Sequence, residues 1–352
     1  MAQYQYAVVA RFAEGKAVYG GQTIKTRNFT EELEAYLGKE AVYRGDTSGW
    51  QKKPMKLVKQ ITYALDHSDN VVILPAHNGL RVIPRMLVAL RGRRRTKLHY
   101  VVVGGWLPKF LQDKKGLTKI LKKFDGIYVE TWTMLAALEK QGFTNVQVLP
   151  NFKRIRVLTE DELVYATQEP YKLCTFSRVL KEKGIEDAIN AVNTVNAQLG
   201  REAYALDIYG RVDDSYKAAF AEICETLPLN IRYMGAVDGA RSTEIIKDYF
   251  ALLFPTHYFT EGIPGTIVDG YAAGVPVIAA RWESFADIVS DNETGLGYDF
   301  EDADGLQKWL LKLAAEPDII HNMKKACLNR AMQFDPGNAM ESFINNGENN
   351  AV

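Results

Sequence analysis

FTEGIPGTIVDGYAAGVPVIAA, residues 259–280, reads as a loop, a helix and a strand in immediate succession. Pro264 suits the first turn of a helix, where its missing N–H is no loss. The run 275–279 that follows is short, apolar and uninterrupted, the form of a strand covered on both faces in a parallel sheet. Just upstream, 251–254 is another such run. Strand, loop, helix and strand in that order predict a βαβ unit.

Working outward, the same alternation fills the chain. Further strands are expected at 172–176, 206–209 and 231–234 on one side, and at 6–10, 71–74, 99–103, 126–129 and 146–149 on the other. Helical patterns lie between them, such as 131–141, which ends at Gly142 as a C-cap should. The scheme breaks once, in PNFKRIRVLTEDELVYATQEP, residues 150–170, which has no clear period and ends in proline. A chain of 352 residues can bury two cores. The prediction is α/β: two Rossmann-like doubly wound domains, 1–155 and 156–335, facing each other across a cleft, with ligands at the carboxyl ends of the strands. A last helix, 336–347, is available to pack back on the first domain.

Composition excludes several classes. No apolar run is long enough to span a bilayer, and the N-terminus MAQYQYAVVARF lacks the features of a secretory signal, so the cytoplasm is the expected compartment. Cys174, Cys224 and Cys327 are scattered, and no Cys/His spacing suits a metal. Lys and Arg balance Asp and Glu at 43 each, which argues against a nucleic-acid binder. The balance hides a local excess: between Arg91 and Lys123 eleven Lys and Arg face one acid, Asp113. Within it, 109–124 reads as an amphipathic helix, with Leu117, Ile120, Leu121 and Phe124 on one face and Lys115, Lys119, Lys122 and Lys123 on another. That pattern fits either an interfacial helix on an anionic membrane or a solvated basic face over the core.

Two segments of the second half carry chemistry. In SRVLKEKGIEDAI, after the strand 172–176, Arg178 and Lys183 sit on the turn into a helix, where a forked guanidinium and a compact ammonium suit a diphosphate. In the opening stretch Glu261 leads into Gly262, Ile263, Pro264, Gly265 and Thr266, a helix start whose backbone N–H groups can bind an anion. Asp269, eight positions beyond Glu261, can address another part of an elongated ligand. Each residue also has a plain alternative, as a solvated pair, a capping acid or an exposed helix residue. Asp302 and Asp304 form a D-x-D that helix capping explains better than a metal.

Together R-x4-K and E-G-x-P with a carboxylate eight positions on resemble the GT-B glycosyltransferases of family GT4, a retaining group that includes many bacterial polysaccharide enzymes. GGQTIKTRNF, LEKQGFTNVQVLPNF and AAGVPVIAARWESFADIV fall where that family has its first glycine loop, its inter-domain approach and its late strand and loop. The resemblance implies that Arg178 and Lys183 hold a donor diphosphate, that Glu261 contacts the donor sugar and Asp269 the ribose, and that Gly20 and Gly21 face the donor from the first domain. It implies transfer of a hexosyl unit from a nucleoside-diphosphate sugar, UDP favoured, to a glycan, in lipid-linked polysaccharide assembly. The nucleotide sugar is a co-substrate; no cofactor, metal or nucleic acid is expected. This chain has Asp269 where the family usually has Glu, and VVVGGWLP, with Gly104 and Gly105, where many members carry a histidine. His77, in LPAHNGL, is the alternative on the acceptor side. An epimerase of the same architecture, or a non-catalytic nucleotide-sugar or glycan binder, would share most of these features.

Overall fold

The computed structural model describes residues 2–13, 15 and 21–349. It comprises two units, one running to Phe152 and resuming at Pro336, the other Lys153–Asp335. The chain therefore passes from one unit to the other at Phe152, just ahead of the boundary at 155. Most of the unperiodic stretch belongs to the second unit, where Leu158 is buried and its N–H donates to Ala272 O at 2.9 Å.

In the first unit β1 (Tyr4–Ala10), β2 (Val42–Asp46), β3 (Ser68–Ile73), β4 (Lys97–Val101), β5 (Gly126–Val129) and β6 (Val146–Val148) form a parallel sheet in the order β2-β1-β3-β4-β5-β6. Alternate residues of β1 serve opposite faces, as a pleated strand requires. Ala7 and Val9 join a core with Leu57, Ile61, Leu87 and Leu121, whereas Tyr6, Val8 and Ala10 join Phe29, Leu33, Met340 and Phe343. The last helix, Pro336–Asn349, thus covers this sheet, and Phe343 meets Phe29 edge-on at 5.1 Å.

In the second unit β7 (Tyr171–Phe176), β8 (Tyr204–Tyr209), β9 (Ile231–Gly235), β10 (Ala251–Phe254), β11 (Val277–Ala280) and β12 (Gly295–Tyr298) order as β12-β11-β10-β7-β8-β9. Every pairing is parallel. The two orders are the doubly wound ones, and each has a switch point where successive connections leave in opposite directions: between β1 and β3 in the first unit, between β7 and β10 in the second.

Sequence reading missed β2 and β12, which are both edge strands. VYRGD carries two charges and a glycine, and GLGY has glycine at alternate positions, so neither shows an apolar run. The basic segment also differs from expectation. It is two short helices, Leu107–Leu111 and Lys115–Leu121, and Leu117, Leu121 and Phe124 are buried in the sheet's core. Those three are consumed by folding and are not available to enter a bilayer, while Ile120 is half-buried. Lys122 is committed too, donating to Gln141 O at 3.0 Å.

Candidate active site

At the switch point of the second unit, two loops leave the ends of β7 and β10 and are stitched together. Gly184, at φ +69°, caps the helix Ile185–Leu199 in a left-handed conformation, and a Cβ there would lie 1.8 Å from Pro255 O. Only glycine allows that approach. The backbone N–H of His257 donates to Glu182 O at 2.8 Å, and that of Val179 to Arg211 O at 2.9 Å, which ties in the loop after β8.

This bracing brings Lys183 and Glu261 into an ion pair. Both side chains are mostly shielded from solvent, at 14% and 16% exposure. The ammonium lies 5.2 Å from the ring centres of both Phe254 and Tyr258. Glu261 Oε1 also accepts from Thr256 Oγ1 at 3.2 Å. Arg178 is on the same turn but half-exposed, with Nη1 3.3 Å from Asp213 Oδ2. Hydrogen bonds from Ser215, then the charge of Arg178, hold the Asp213 carboxyl below its usual range.

Immediately beyond, Gly262, Ile263 and Pro264 are buried, and Pro264, the N-cap of the helix Gly265–Ala272, makes no side-chain capping hydrogen bond. An added Cβ on Gly265 would meet nothing within 4 Å, so the space at the helix start is open. Thr266 Oγ1 is buried and has no hydrogen-bond partner among the described residues. Orphan N–H groups, a hydroxyl without a partner and a glycine against open space together make a polar cradle suited to an anionic or hydroxylated ligand.

Asp269 is a buried residue of that helix, not an exposed one. Its Oδ1 accepts from Lys153 Nζ at 2.5 Å and from Ser242 Oγ at 2.9 Å. Burial pushes the carboxyl up, against the opposing pull of Lys153 and Ser242. Both bonds fall on Oδ1, which leaves Oδ2 as the remaining acceptor. Sequence reading overlooked Lys153 and Ser242, since neither belongs to a motif and they lie 116 and 27 positions from Asp269.

The remaining candidates lie elsewhere. Gly20 is outside the described residues. Gly21 begins the helix Gly21–Leu37, and an added Cβ would meet nothing within 4 Å. His77 starts the short helix His77–Leu80 beyond β3, stacked on Trp106 at 3.8 Å and edge-on to Phe110 at 5.2 Å. Desolvation, then the charges of Arg81 and Lys114, lower its pKa. His77 lines a cavity of about 460 Å³ at the first unit's own switch point, with Gln22, Thr47, Trp50, Gln51 and Asn78. In the glycine stretch after β4, Gly104 N donates to Glu130 Oε1 at 3.1 Å, and Glu130 pairs with the buried Lys25. Asp302 accepts from Asp304 N and pairs with Lys308 at the start of the helix Gly305–Ala315. Among the described residues no cluster of His, Cys, Asp and Glu is placed to hold a metal, and no helix is long and apolar enough to cross a membrane.

Comparison with known proteins gives this geometry a context. Residues 162–330 match the family model described as glycosyl transferases group 1. The amylovoran biosynthesis glycosyltransferase AmsK of Erwinia amylovora is 27% identical over 168 residues, 44% of this chain and 39% of its own length. The chain spans about two fifths of the curated relatives it matches. Among solved structures, sucrose-phosphate synthase of Thermosynechococcus elongatus aligns over 97% of both chains with a TM-score of 0.74 and 15% identity. HepE of Anabaena, solved with UDP and glucose, aligns over 97% of this chain and 99% of its own, with a TM-score of 0.73 and 13% identity. At those identities the likeness is one of fold, and that fold is GT-B.

Proposed function

We propose that this chain, a GT-B protein whose residues 162–330 form a group 1 glycosyltransferase domain, moves a hexosyl unit from a nucleoside-diphosphate sugar to a glycan with retention of configuration. The observation that carries the reading is the shielded Lys183–Glu261 pair beside the open helix start at Gly265, on the switch point of the second unit.

In this reading Lys183 and Arg178 neutralise the diphosphate, whose charge rises as the bond to the anomeric carbon breaks. Glu261 and the N–H groups of Gly265 and Thr266 orient the sugar and its phosphate. The acceptor oxygen bonds to the anomeric carbon as the sugar–phosphate bond opens, and the acceptor's proton passes to the departing phosphate oxygen on the same face. Asp269 would offer Oδ2 to the ribose. Lys153 keeps that carboxylate ionised against the penalty of burial. UDP is the favoured nucleotide, supported by its presence in HepE; a surface-polysaccharide role is supported by the name of AmsK.

The cavity of the first unit suits the acceptor sugar. Trp50 and His77 offer flat faces for a pyranose ring, while Gln22, Gln51, Asn78 and Thr47 offer amides and a hydroxyl for its oxygens. If the acceptor is lipid-linked, reaction would take place at the cytoplasmic membrane face, and Lys115, Lys119 and Lys123 would attract that surface by charge alone.

A thermal-shift panel followed by product analysis tests the proposal. UDP and its sugars should stabilise the chain more than nucleoside monophosphates do, and the product should be a glycoside with the donor's anomeric configuration. An inverted product or an epimerised donor would overturn the reaction assigned, and no shift with any nucleotide would remove the donor site.

A further inference from the structure

Beside the acceptor cavity, in the same unit, lies an open depression of about 690 Å³ lined by Arg81, Arg85, Lys114, Lys115, Gln112 and Asp113. Four cations there face a single carboxylate. Two nearby arginines of this unit are neutralised: Arg91 pairs with Asp125 at 3.1 Å and Arg94 with Asp66 at 2.6 Å. Arg81, Arg85, Lys114 and Lys115 differ, since none is ion-paired among the described residues. Among the described residues, the one hydrogen bond made by these four side chains runs from Arg85 to the backbone carbonyl of Arg81.

Two of the four are also held in place. Lys114 Nζ lies 4.2 Å, and the Arg81 guanidinium 5.6 Å, from the centre of the Phe110 ring. Cations fixed on one aromatic face lose less freedom when an anion arrives. That ring also meets His77 edge-on at 5.2 Å, so one aromatic side chain touches both a lining residue of the cavity and two cations of the depression. A ligand filling the cavity would therefore carry its next group toward unpaired positive charge; the His77 pKa, lowered first by desolvation, is lowered further by Arg81 and Lys114.

We propose that the depression is an anion site and that the acceptor bears a phosphate or diphosphate next to its sugar, held by Arg81, Arg85, Lys114 and Lys115. The assignment rests on reading the 460 Å³ cavity as the acceptor site. It makes the acceptor a sugar phosphate or a phosphate-linked lipid in preference to a neutral glycan.

The test titrates inorganic pyrophosphate into the full chain carrying Arg178→Ala and Lys183→Ala, so that the donor site does not compete. Adding Arg81→Gln with Lys114→Gln should weaken binding at least tenfold. Arg85→Gln with Lys115→Gln, which spares the contacts to Phe110, should weaken it in the same direction, and binding should fall as salt rises. A parallel arm uses vesicles of phosphatidylglycerol or of phosphatidylcholine alone. Pyrophosphate binding lost in both variants makes a small phosphate sufficient; binding only to phosphatidylglycerol vesicles, lost in both, makes a lipid headgroup the source. No binding of either probe, or binding unchanged by both variants, overturns the site. Stabilisation by UDP, measured in Arg81→Gln with Lys114→Gln alone, should stay at the wild-type value, because that pair lies outside the donor unit. Its absence from wild type would instead count against the glycosyltransferase reading.

Discussion

Lys183→Met, Glu261→Gln and the double variant should separate what the Lys183–Glu261 pair does for folding from what it does for transfer. Each side chain is about one-sixth exposed or less, at 14% and 16%, so either charge left alone is poorly solvated. In Lys183→Met the Glu261 carboxylate keeps only the Thr256 hydroxyl, at 3.2 Å. Breaking a buried pair costs about 3 to 5 kcal/mol, and this residual exposure puts the expected loss near the bottom of that range, at about 3 kcal/mol. The double variant removes both charges and leaves an amide beside a thioether, so stability should return to within about 1 kcal/mol of wild type. Transfer should not return. Loss of a cation aimed at a developing diphosphate lowers turnover about a hundredfold to a thousandfold, whether or not its partner is present. Urea denaturation gives the first quantity and initial rates of nucleoside-diphosphate release give the second. A double variant that recovers both stability and turnover would show the pair to be structural only. A Lys183→Met chain as stable as wild type would refute the argument from burial.

Three further outcomes follow from the same geometry. If Asp269 holds the ribose as proposed, Asp269→Asn and Lys153→Met should both raise the Michaelis constant for the donor several-fold with turnover little changed; a fall in turnover with an unchanged Michaelis constant would move Asp269 to the reacting end. In the proposed mechanism Arg178, Lys183 and the helix start at Gly265 supply the positive charge, so transfer should persist in excess chelator, and complete loss restored by manganese would show that a metal does so instead. His99 is buried, with its Nε2 3.0 Å from Asn70 Oδ1, and its pKa is lowered from 6.5 to about 4, chiefly by desolvation. The unfolded chain binds that proton more readily, so this contribution is full above pH 6.5 and is lost as pH falls toward 4, by about 3 kcal/mol over that window. Urea midpoints at pH 7 and 4.5 in wild type and His99→Phe test it, and equal slopes in the two chains would place the acid sensitivity elsewhere.

The sequence by itself determined the α/β class, the restart of the pattern in the second half and the loops that carry Arg178, Lys183 and Glu261. Those features are local: a short apolar run rich in β-branched residues and bounded by turn signals favours a buried strand, and Pro264 with Gly265 marks a helix start within a few residues. The edge strand β2 was illegible because one sheet neighbour and partial exposure relax the demand for apolar side chains, and β12, though buried, because tight packing makes two of its four residues glycine. Only the tertiary structure decided that Lys183 faces Glu261, that Lys153 and Ser242 reach Asp269, and that Leu117, Leu121 and Phe124 turn inward. Helical spacing says that a face is apolar but not what covers it; a sheet and a bilayer ask the same of that face. Which cations stay unpaired was hidden for a related reason. Arg91 and Arg94 look like Arg81 and Lys114 in sequence, and what separates them is whether Asp125 or Asp66, more than twenty positions away, arrives beside them when the sheet assembles.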